Sequence, residues 1–178
     1  MSYPLSGISL NAKIKEVAKL MTSKKGRLAV FDAGTLVGII TASDLIKSLP
    51  DIPETEVKVD DFMTKEVLTA DEETCVINIA KIMGEHRVGS VIITRKGEPF
   101  GIFTERDLLT NFLAKGKALF TEVGPECSTP LSVIPAGTSV HRAAATMALK
   151  HIRRLPVIGD EKLVGIITAR DLVEAYAK

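Results

Sequence analysis

An α+β fold assembled from three copies of one β-α-β-β-α unit is predicted by three observations. An octapeptide recurs, as GIITASDL from Gly38 to Leu45, GIFTERDL from Gly101 to Leu108 and GIITARDL from Gly165 to Leu172. Its spacing is nearly constant, since Thr41, Thr104 and Thr168 lie 63 and 64 residues apart (104 − 41 and 168 − 104). Ahead of each octapeptide the apolar period changes in the same order, from extended to helical to extended. A period above the roughly 20–50 residues of solenoid rungs makes each copy a half-domain rather than a stacked rung. Function is therefore sought where copies face each other.

Each copy opens on a short extended segment. It spans Val67 to Ala70 in the second copy and Leu131 to Ile134 in the third, and shrinks to about Leu5 to Ile8 in the first. A helix follows, with apolar residues at i, i+3, i+4 and i+7. These are Ile14, Val17, Ala18 and Met21, then Val76, Ile79, Ala80 and Met83, then Val140, Ala143, Ala144 and Met147. Two apolar runs separated by turn residues come next and read as a β-hairpin. They are Leu28–Phe31 and Leu36–Ile40 around Asp32–Thr35, Val91–Ile93 before Arg95-Lys96-Gly97, and Leu155–Ile158 before Gly159-Asp160. Thr41, Thr104 and Thr168 then start a second helix bearing Leu45, Leu108 and Leu172. Continuous apolar strands predict a sheet covered on both faces. One copy of about 55–60 residues cannot bury both alone. The copies span residues 1–50, 59–116 and 122–178. Ser48–Lys58 and Lys115–Pro125, with their Pro, Gly and acidic residues, read as linkers.

The chain has 178 residues, is 46% hydrophobic and 25% charged, and carries a net charge of +1. That balance is globular, and it offers no electrostatic footprint for nucleic acid or an anionic membrane. The two cysteines, Cys75 and Cys127, form no CxxC, so neither a disulfide scaffold nor a zinc knuckle is expected and a reducing cytoplasm fits. The start MSYPLSGISL has no secretory pattern, and no apolar run reaches the ~18–20 residues of a membrane span. His86, His141 and His151 lack metal-ligand spacing, and His141 reads as an exposed helix residue. Cys75 reads as a surface thiol. No P-loop, GxSxG, HExxH or dinucleotide fingerprint occurs, so an enzyme is not expected.

The apolar-apolar-Thr-x-x-Asp-Leu endings, the phrase Asp61-Phe62-Met63-Thr64-Lys65 and the phrase Arg153-Arg154-Leu155-Pro156-Val157 together resemble the CBS-domain family, the tandem regulatory modules named for cystathionine β-synthase. The resemblance covers nearly the whole chain and is weaker in the first copy, which lacks the DxMT-like lead-in. It implies a regulatory, non-catalytic module. The second and third copies would form a pseudo-twofold pair, leaving the first as an unpaired extra motif. Clefts between paired copies would take an adenosine compound: AMP, ADP, ATP or S-adenosylmethionine. Carried over to this sequence, one cleft would hold Asp171, Thr168 and Arg154 against Thr69, Ala70, Val88 and Gly89. The other would hold Asp107, Thr104 and Ser90 against Ile134, Pro135, Ile152 and Arg153.

The chemistry of these residue types fits that implication. A carboxylate accepts from both hydroxyls of a ribose, and Asp107 and Asp171 sit in the first turn of their helices. A helix N-terminus favours phosphate, to which the Thr104 and Thr168 hydroxyls can donate. Arg106, Arg170, Arg153, Arg154, His86, Arg87 and His151 supply positive charge. Thr41 and Asp44 mark a weaker third site. The competing reading is structural: T-x-x-D before an apolar run is a capping box, in which the acid serves the Thr amide rather than a ligand. No cofactor is required, and the partners expected are an adenine nucleotide, a second copy of the chain and a regulated protein. The alternatives are an interaction module that binds no ligand, or S-adenosylmethionine binding near Gly89.

Overall fold

The structure, a computed structural model, describes residues 6–23, 26–48 and 56–178. The first copy forms β1 (Gly7–Ser9), α1 (Ile14–Ser23), β2 (Arg27–Asp32), β3 (Thr35–Thr41) and α2 (Ala42–Ser48). The second forms β4 (Thr69–Asp71), α3 (Val76–His86), β5 (Ser90–Arg95), β6 (Glu98–Thr104) and α4 (Glu105–Asp107). There α4 runs on as a π-helical turn over Leu108–Phe112 and a 3-10 turn over Leu113–Lys115. The third forms β7 (Ile134–Pro135), α5 (Val140–Lys150), β8 (Arg154–Gly159), β9 (Lys162–Thr168) and α6 (Ala169–Ala177). The opening strands of the second and third copies begin later than their apolar runs suggested.

Each copy makes its own three-stranded sheet in chain order, with a parallel pair across the helix and then an antiparallel hairpin. All three hairpins slip register at the equivalent place, after Val30, Ile93 and Val157. That shared irregularity is a structural mark of duplication.

The described chain condenses into two compact units. One contains the chain up to Lys65 together with Ile134–Lys178, and the other contains Glu66–Val133. In the first unit α1 lies against α6, and α2 against α5 and α6. Val17, Ala18, Met21, Leu45 and Ile46 of the first copy share one apolar core with Ala143, Ala144, Met147, Leu172 and Val173 of the third. The helices of the first copy are therefore covered within the chain, by those of the third. The first copy's helical face is partnered inside the chain because a half-domain this small cannot bury an amphipathic helix pair by itself. Alanines at positions 18, 143 and 144, all fully buried, let these helices approach closely.

The second unit is built around Val76, Ile79, Met83, Val91, Ile93, Phe103, Phe112 and Val123. Phe112 meets Phe103 edge-on with ring centroids 6.0 Å apart. Part of this unit comes from a stretch expected to be a linker. The Thr121 and Leu119 carbonyls accept from the Val76 and Ile77 amides at the start of α3, where a helix has no acceptors of its own. Lys117 is paired with Glu126, and Val123 is fully buried. Residues 115–125 are thus packed structure. The segment before β4 behaves alike in the first unit, since the Val57 carbonyl accepts from the Val140 amide at the start of α5.

Candidate ligand-binding site

The recurrent Thr-x-x-Asp turn has one geometry in three places. Asp107 Oδ2 accepts from the Thr104 amide at 2.9 Å and the Thr104 hydroxyl at 2.7 Å. Asp171 Oδ2 accepts from the Thr168 amide at 2.8 Å and hydroxyl at 2.8 Å. Asp44 Oδ2 accepts from the Thr41 amide at 3.0 Å and hydroxyl at 2.6 Å. The Thr104 and Thr168 hydroxyl oxygens in turn accept from the Asp107 and Asp171 amides, completing a capping box in each case. The structural reading of T-x-x-D is therefore real in the second and third copies, and the first shares the bonds donated to its aspartate.

Two consequences follow for ligand chemistry. Each hydroxyl proton is given to its own aspartate, so Thr104 and Thr168 do not present a free donor to a phosphate as expected. Only one carboxylate oxygen is used, and Oδ1 of Asp107 and Asp171 accepts no hydrogen bond among the described residues. A carboxylate has about four lone-pair sites, so each capping aspartate keeps acceptor capacity for a further pair of hydroxyls.

Surroundings separate the three boxes. Burial pushes the Asp171 carboxyl above its ordinary range, against the lowering effect of the Thr168 hydroxyl and amide. At the exposed first-copy site the Thr41 hydroxyl holds Asp44 below its ordinary range, outweighing a small burial effect. The same hydrogen bonds give opposite shifts because only one of the two sites is withdrawn from water.

The loop ahead of each hairpin meets the T-x-x-D turn of the same copy. The Gly89 carbonyl accepts from the Glu105 amide at 3.2 Å, the Arg153 carbonyl from the Ala169 amide at 2.9 Å, and the Gly26 carbonyl from the Ala42 amide at 3.1 Å. Ser90 also faces Thr104 in register, as Arg154 faces Thr168. Val88, Gly89, Ser90, Thr104, Arg106 and Asp107 thus gather at one end of the second unit's sheet. Thr69 and Ala70 lie across β5 from that end, paired with Ile92 and Ile93. In the first unit Ile152, Arg153, Arg154, Thr168, Arg170 and Asp171 gather likewise, and Ile134 and Pro135 pair with Val157 and Ile158. The Ile134 side chain is in the core, which leaves only its backbone available to a ligand.

The basic residues are placed unevenly. Arg153 precedes β8 and is exposed, whereas Arg154 starts the strand and is half-buried. Arg106 and Arg170 are exposed. Arg87 and His151 close α3 and α5 in the left-handed conformation, each with φ of 54°. A side chain there is unusual, and glycine is the commoner choice. His141 is half-buried rather than exposed, with Nδ1 3.4 Å from the Tyr176 hydroxyl. Among the described residues there is no cluster of three or more His, Cys, Asp or Glu able to hold a metal, and no helix long and apolar enough to cross a membrane.

Sequence reasoning missed one structural device. Thr64 exchanges both backbone hydrogen bonds with Ile166 on the open edge of β9, at 3.0 and 2.9 Å, and Met63 covers Gly165. Ser128 does the same to Ile102 on β6, at 2.9 and 3.1 Å, with Cys127 over Gly101. The Asp61-Phe62-Met63-Thr64 phrase was the available signal, since a recurring lead-in that belongs to no regular element needs a packing role.

Known proteins share this organisation. Protein MK0525 of Methanopyrus kandleri is 36% identical over 121 residues, covering 66% of this chain, and the chain spans only 62% of that relative's length. A solved structure from Pyrococcus horikoshii matches with a TM-score of 0.81 at 25% identity, over 99% of this chain and 80% of that one. Protein MJ1225 of Methanocaldococcus jannaschii, described as a candidate archaeal homologue of γ-AMPK, matches with a TM-score of 0.79 at 21% identity, over 98% of this chain and 68% of that one. The family model for the CBS domain matches three times, at residues 1–51, 59–114 and 122–178. Three β-α-β-β-α copies, each closing on a Thr-x-x-Asp turn, are thus three CBS domains, and the chain belongs to the CBS-domain family.

Proposed function

We propose that this protein is a cytoplasmic, non-catalytic regulatory module that binds an adenosine nucleotide (AMP, ADP or ATP) through Asp107 and Asp171. In this reading the unused Oδ1 of each aspartate accepts from the ribose hydroxyls, while Oδ2 stays committed to the cap. Gly89 has no side chain to obstruct a ligand, and Arg153 and Arg154 favour a phosphate-rich one. Binding shifts the module toward the conformation with higher affinity, by no more than the difference in affinity between the two states. A second copy of the chain and a regulated protein read out that shift. Thr41 and Asp44 repeat the hydrogen bonds at an exposed position, which supports helix capping there more than ligand binding. The observation that carries the reading is that one carboxylate oxygen stays open in a fully formed cap.

The complete capping boxes favour one rival, an interaction module in which T-x-x-D only caps helices. S-adenosylmethionine beside Gly89 is the other adenosine ligand to test. Thermal melts with AMP, ADP, ATP, S-adenosylmethionine and GTP distinguish these. Ligand at about 100 times its dissociation constant stabilises by ~2.7 kcal/mol, which is roughly 5–10 °C for a chain of this size. The expected result is a shift with an adenosine nucleotide that Asp107→Asn with Asp171→Asn abolishes. Asn retains an acceptor for the Thr amide and hydroxyl but replaces the open oxygen with a donor. No shift with any adenosine compound decides for the interaction module. A shift that survives both substitutions removes the aspartates from the site.

A further inference from the structure

Among the described residues, Gly26, Gly34, Gly97, Gly116 and Gly137 take the left-handed conformation. Six residues with side chains share it. Ala33, Lys96, Asp160 and Glu161 lie at the three hairpin tips, where a two-residue turn imposes positive φ. The other two, Arg87 and His151, end α3 and α5. The helix ending sets their backbone. The Arg87 and His151 amides donate to the Gly84 and Ala148 carbonyls, and the Val88 and Ile152 amides to the Met83 and Met147 carbonyls. Glycine adopts this ending without strain, and Gly116 does so after the 3-10 turn over Leu113–Lys115. At residues 87 and 151 the chain keeps a side chain where glycine would cost less.

Both side chains are basic. Lys24 holds the same place in the sequence of the first copy, 17 residues before its threonine (41 − 24, 104 − 87 and 168 − 151). The fold does not account for the charge. A helix dipole favours a cation at the C-terminus, but His86 and Lys150 already supply a basic residue in the last turn of α3 and α5. Arg87 and His151 are exposed, and neither side chain makes a hydrogen bond or ion pair among the described residues.

Their location does account for it. Two residues on, the Gly89 and Arg153 carbonyls accept from the Glu105 and Ala169 amides, the first amides of the T-x-x-D turns. Two residues span at most about 7 Å of backbone, so each basic residue belongs to the end of its sheet that carries Asp107 or Asp171. The second copy has Gly89 where the third has Arg153, so Arg87 is the arginine that its loop retains. Strained non-glycine backbone beside a binding site is a mark of a side chain kept for use.

We infer that Arg87 and His151 select for phosphate: each donates to the phosphates of a nucleotide bound at Asp107 and Asp171, Arg87 through its planar fork and His151 through a ring N–H. They set affinity by phosphate number and leave recognition of the nucleoside to other groups. This deepens the nucleotide-binding reading above and rests on it.

Calorimetric titration with adenosine, AMP and ATP, beside thermal melts without ligand, tests the assignment on the full chain carrying Arg87→Gly with His151→Gly. Without ligand the variant is expected to melt about 2–4 °C above wild type, because glycine relieves both helix endings. ATP affinity is expected to fall about 10-fold, and adenosine affinity to change by less than about twofold. Arg87→Asn with His151→Asn, uncharged and also suited to the left-handed region, should reproduce the loss of ATP affinity. A variant pair that binds ATP as tightly as wild type overturns the assignment and leaves the nucleotide reading standing. Equal losses for adenosine and ATP overturn it as well, since they report a damaged site rather than a missing phosphate contact. A glycine variant that melts below wild type removes the strain on which the assignment rests. Wild type that binds none of the three compounds overturns the nucleotide reading and this assignment together.

Discussion

Adding one methyl group to each of two identical heptapeptides, residues 36–42 and 163–169, should have opposite effects on stability. Gly38 and Gly165 have the same neighbours in sequence and ordinary strand backbone, so Gly→Ala reduces the freedom of the unfolded chain equally at both, a gain of about 0.4–1 kcal/mol. At Gly38 the new Cβ meets nothing within 4 Å, and that gain stands. At Gly165 it runs into Met63 Sδ and lies 2.9 Å from Met63 Cγ. Overpacking of this kind costs about 1–3 kcal/mol, lessened here because the thioether is flexible. Gly101 is less forgiving, since its Cβ would lie 2.5 Å from Cys127 Sγ and 3.1 Å from the Ser128 carbonyl oxygen, and backbone cannot swing aside. The expected order of stability is therefore Gly38→Ala at or above wild type, then Gly165→Ala, then Gly101→Ala. Urea denaturation followed by circular dichroism at low micromolar protein resolves these steps. The double variant Gly165→Ala with Met63→Ala should recover part of the Gly165→Ala loss, because it removes the collision. Equal effects at Gly38 and Gly165 would refute the claim that the lead-in, rather than the strand sequence, sets the environment of β9.

Two further outcomes are expected. Carboxyl titrations by NMR should place Asp171 above the ordinary aspartate range and Asp44 below it despite their matching hydrogen bonds. With its folded pKa raised, Asp171 makes the folded state bind the extra proton, so its contribution to stability falls as pH rises from the unfolded to the folded value. Asp44 behaves oppositely: its contribution is present above the unfolded value and disappears as pH falls through the folded one. Shifts of the same sign at both sites would contradict the burial argument. Phe112→Ala should cost about 3–5 kcal/mol in urea unfolding, since the ring is fully buried and edge-on to Phe103. A loss below about 1 kcal/mol would mean that the π-helical turn carrying Phe112 is not part of the core.

The elements were legible because each copy repeats them. Apolar spacing placed α1, α3 and α5 correctly, and their i+3 and i+7 positions are buried in all three helices. Only Ile14, at the first turn of α1, is substantially exposed, at 42%. Short strands were read less well. β4 and β7 start after the apolar runs that announced them: the Leu68 carbonyl accepts from the Ile92 amide, but Val67, Leu68 and Leu131 hold no paired position in the ladders. The partner of the first copy was not legible at all. An amphipathic stripe records that a helix is covered, never by what, and α1 uses the third copy. The linker reading of residues 115–125 failed for a related reason: Pro, Gly and acidic residues mark irregular backbone, and irregular backbone can still cap a helix. Among the candidate site residues, sequence order placed Thr104 with Asp107 and Thr168 with Asp171. It could not decide whether the threonine hydroxyls donate inward or outward.

In the proposed function the shared carboxylate would couple ligand recognition to the start of the helix. A ribose bound at Oδ1 would withdraw electron density from the same group that accepts from the Thr amide and hydroxyl at Oδ2, so ligand and cap would compete weakly for one charge. Burial at Asp171 sharpens that competition. A carboxylate already costly to ionise is stabilised by any donor that replaces lost water, so hydroxyl donors contribute more at Asp171 than at exposed Asp44. Substitution by alanine removes cap and acceptor together, and a lost thermal shift would then confound a weakened helix with a lost ligand. Substitution by asparagine separates them, because the cap retains an acceptor while the ribose meets an N–H donor. The third copy is therefore where the function of the repeat can be read independently of its fold, and the first copy is its internal control.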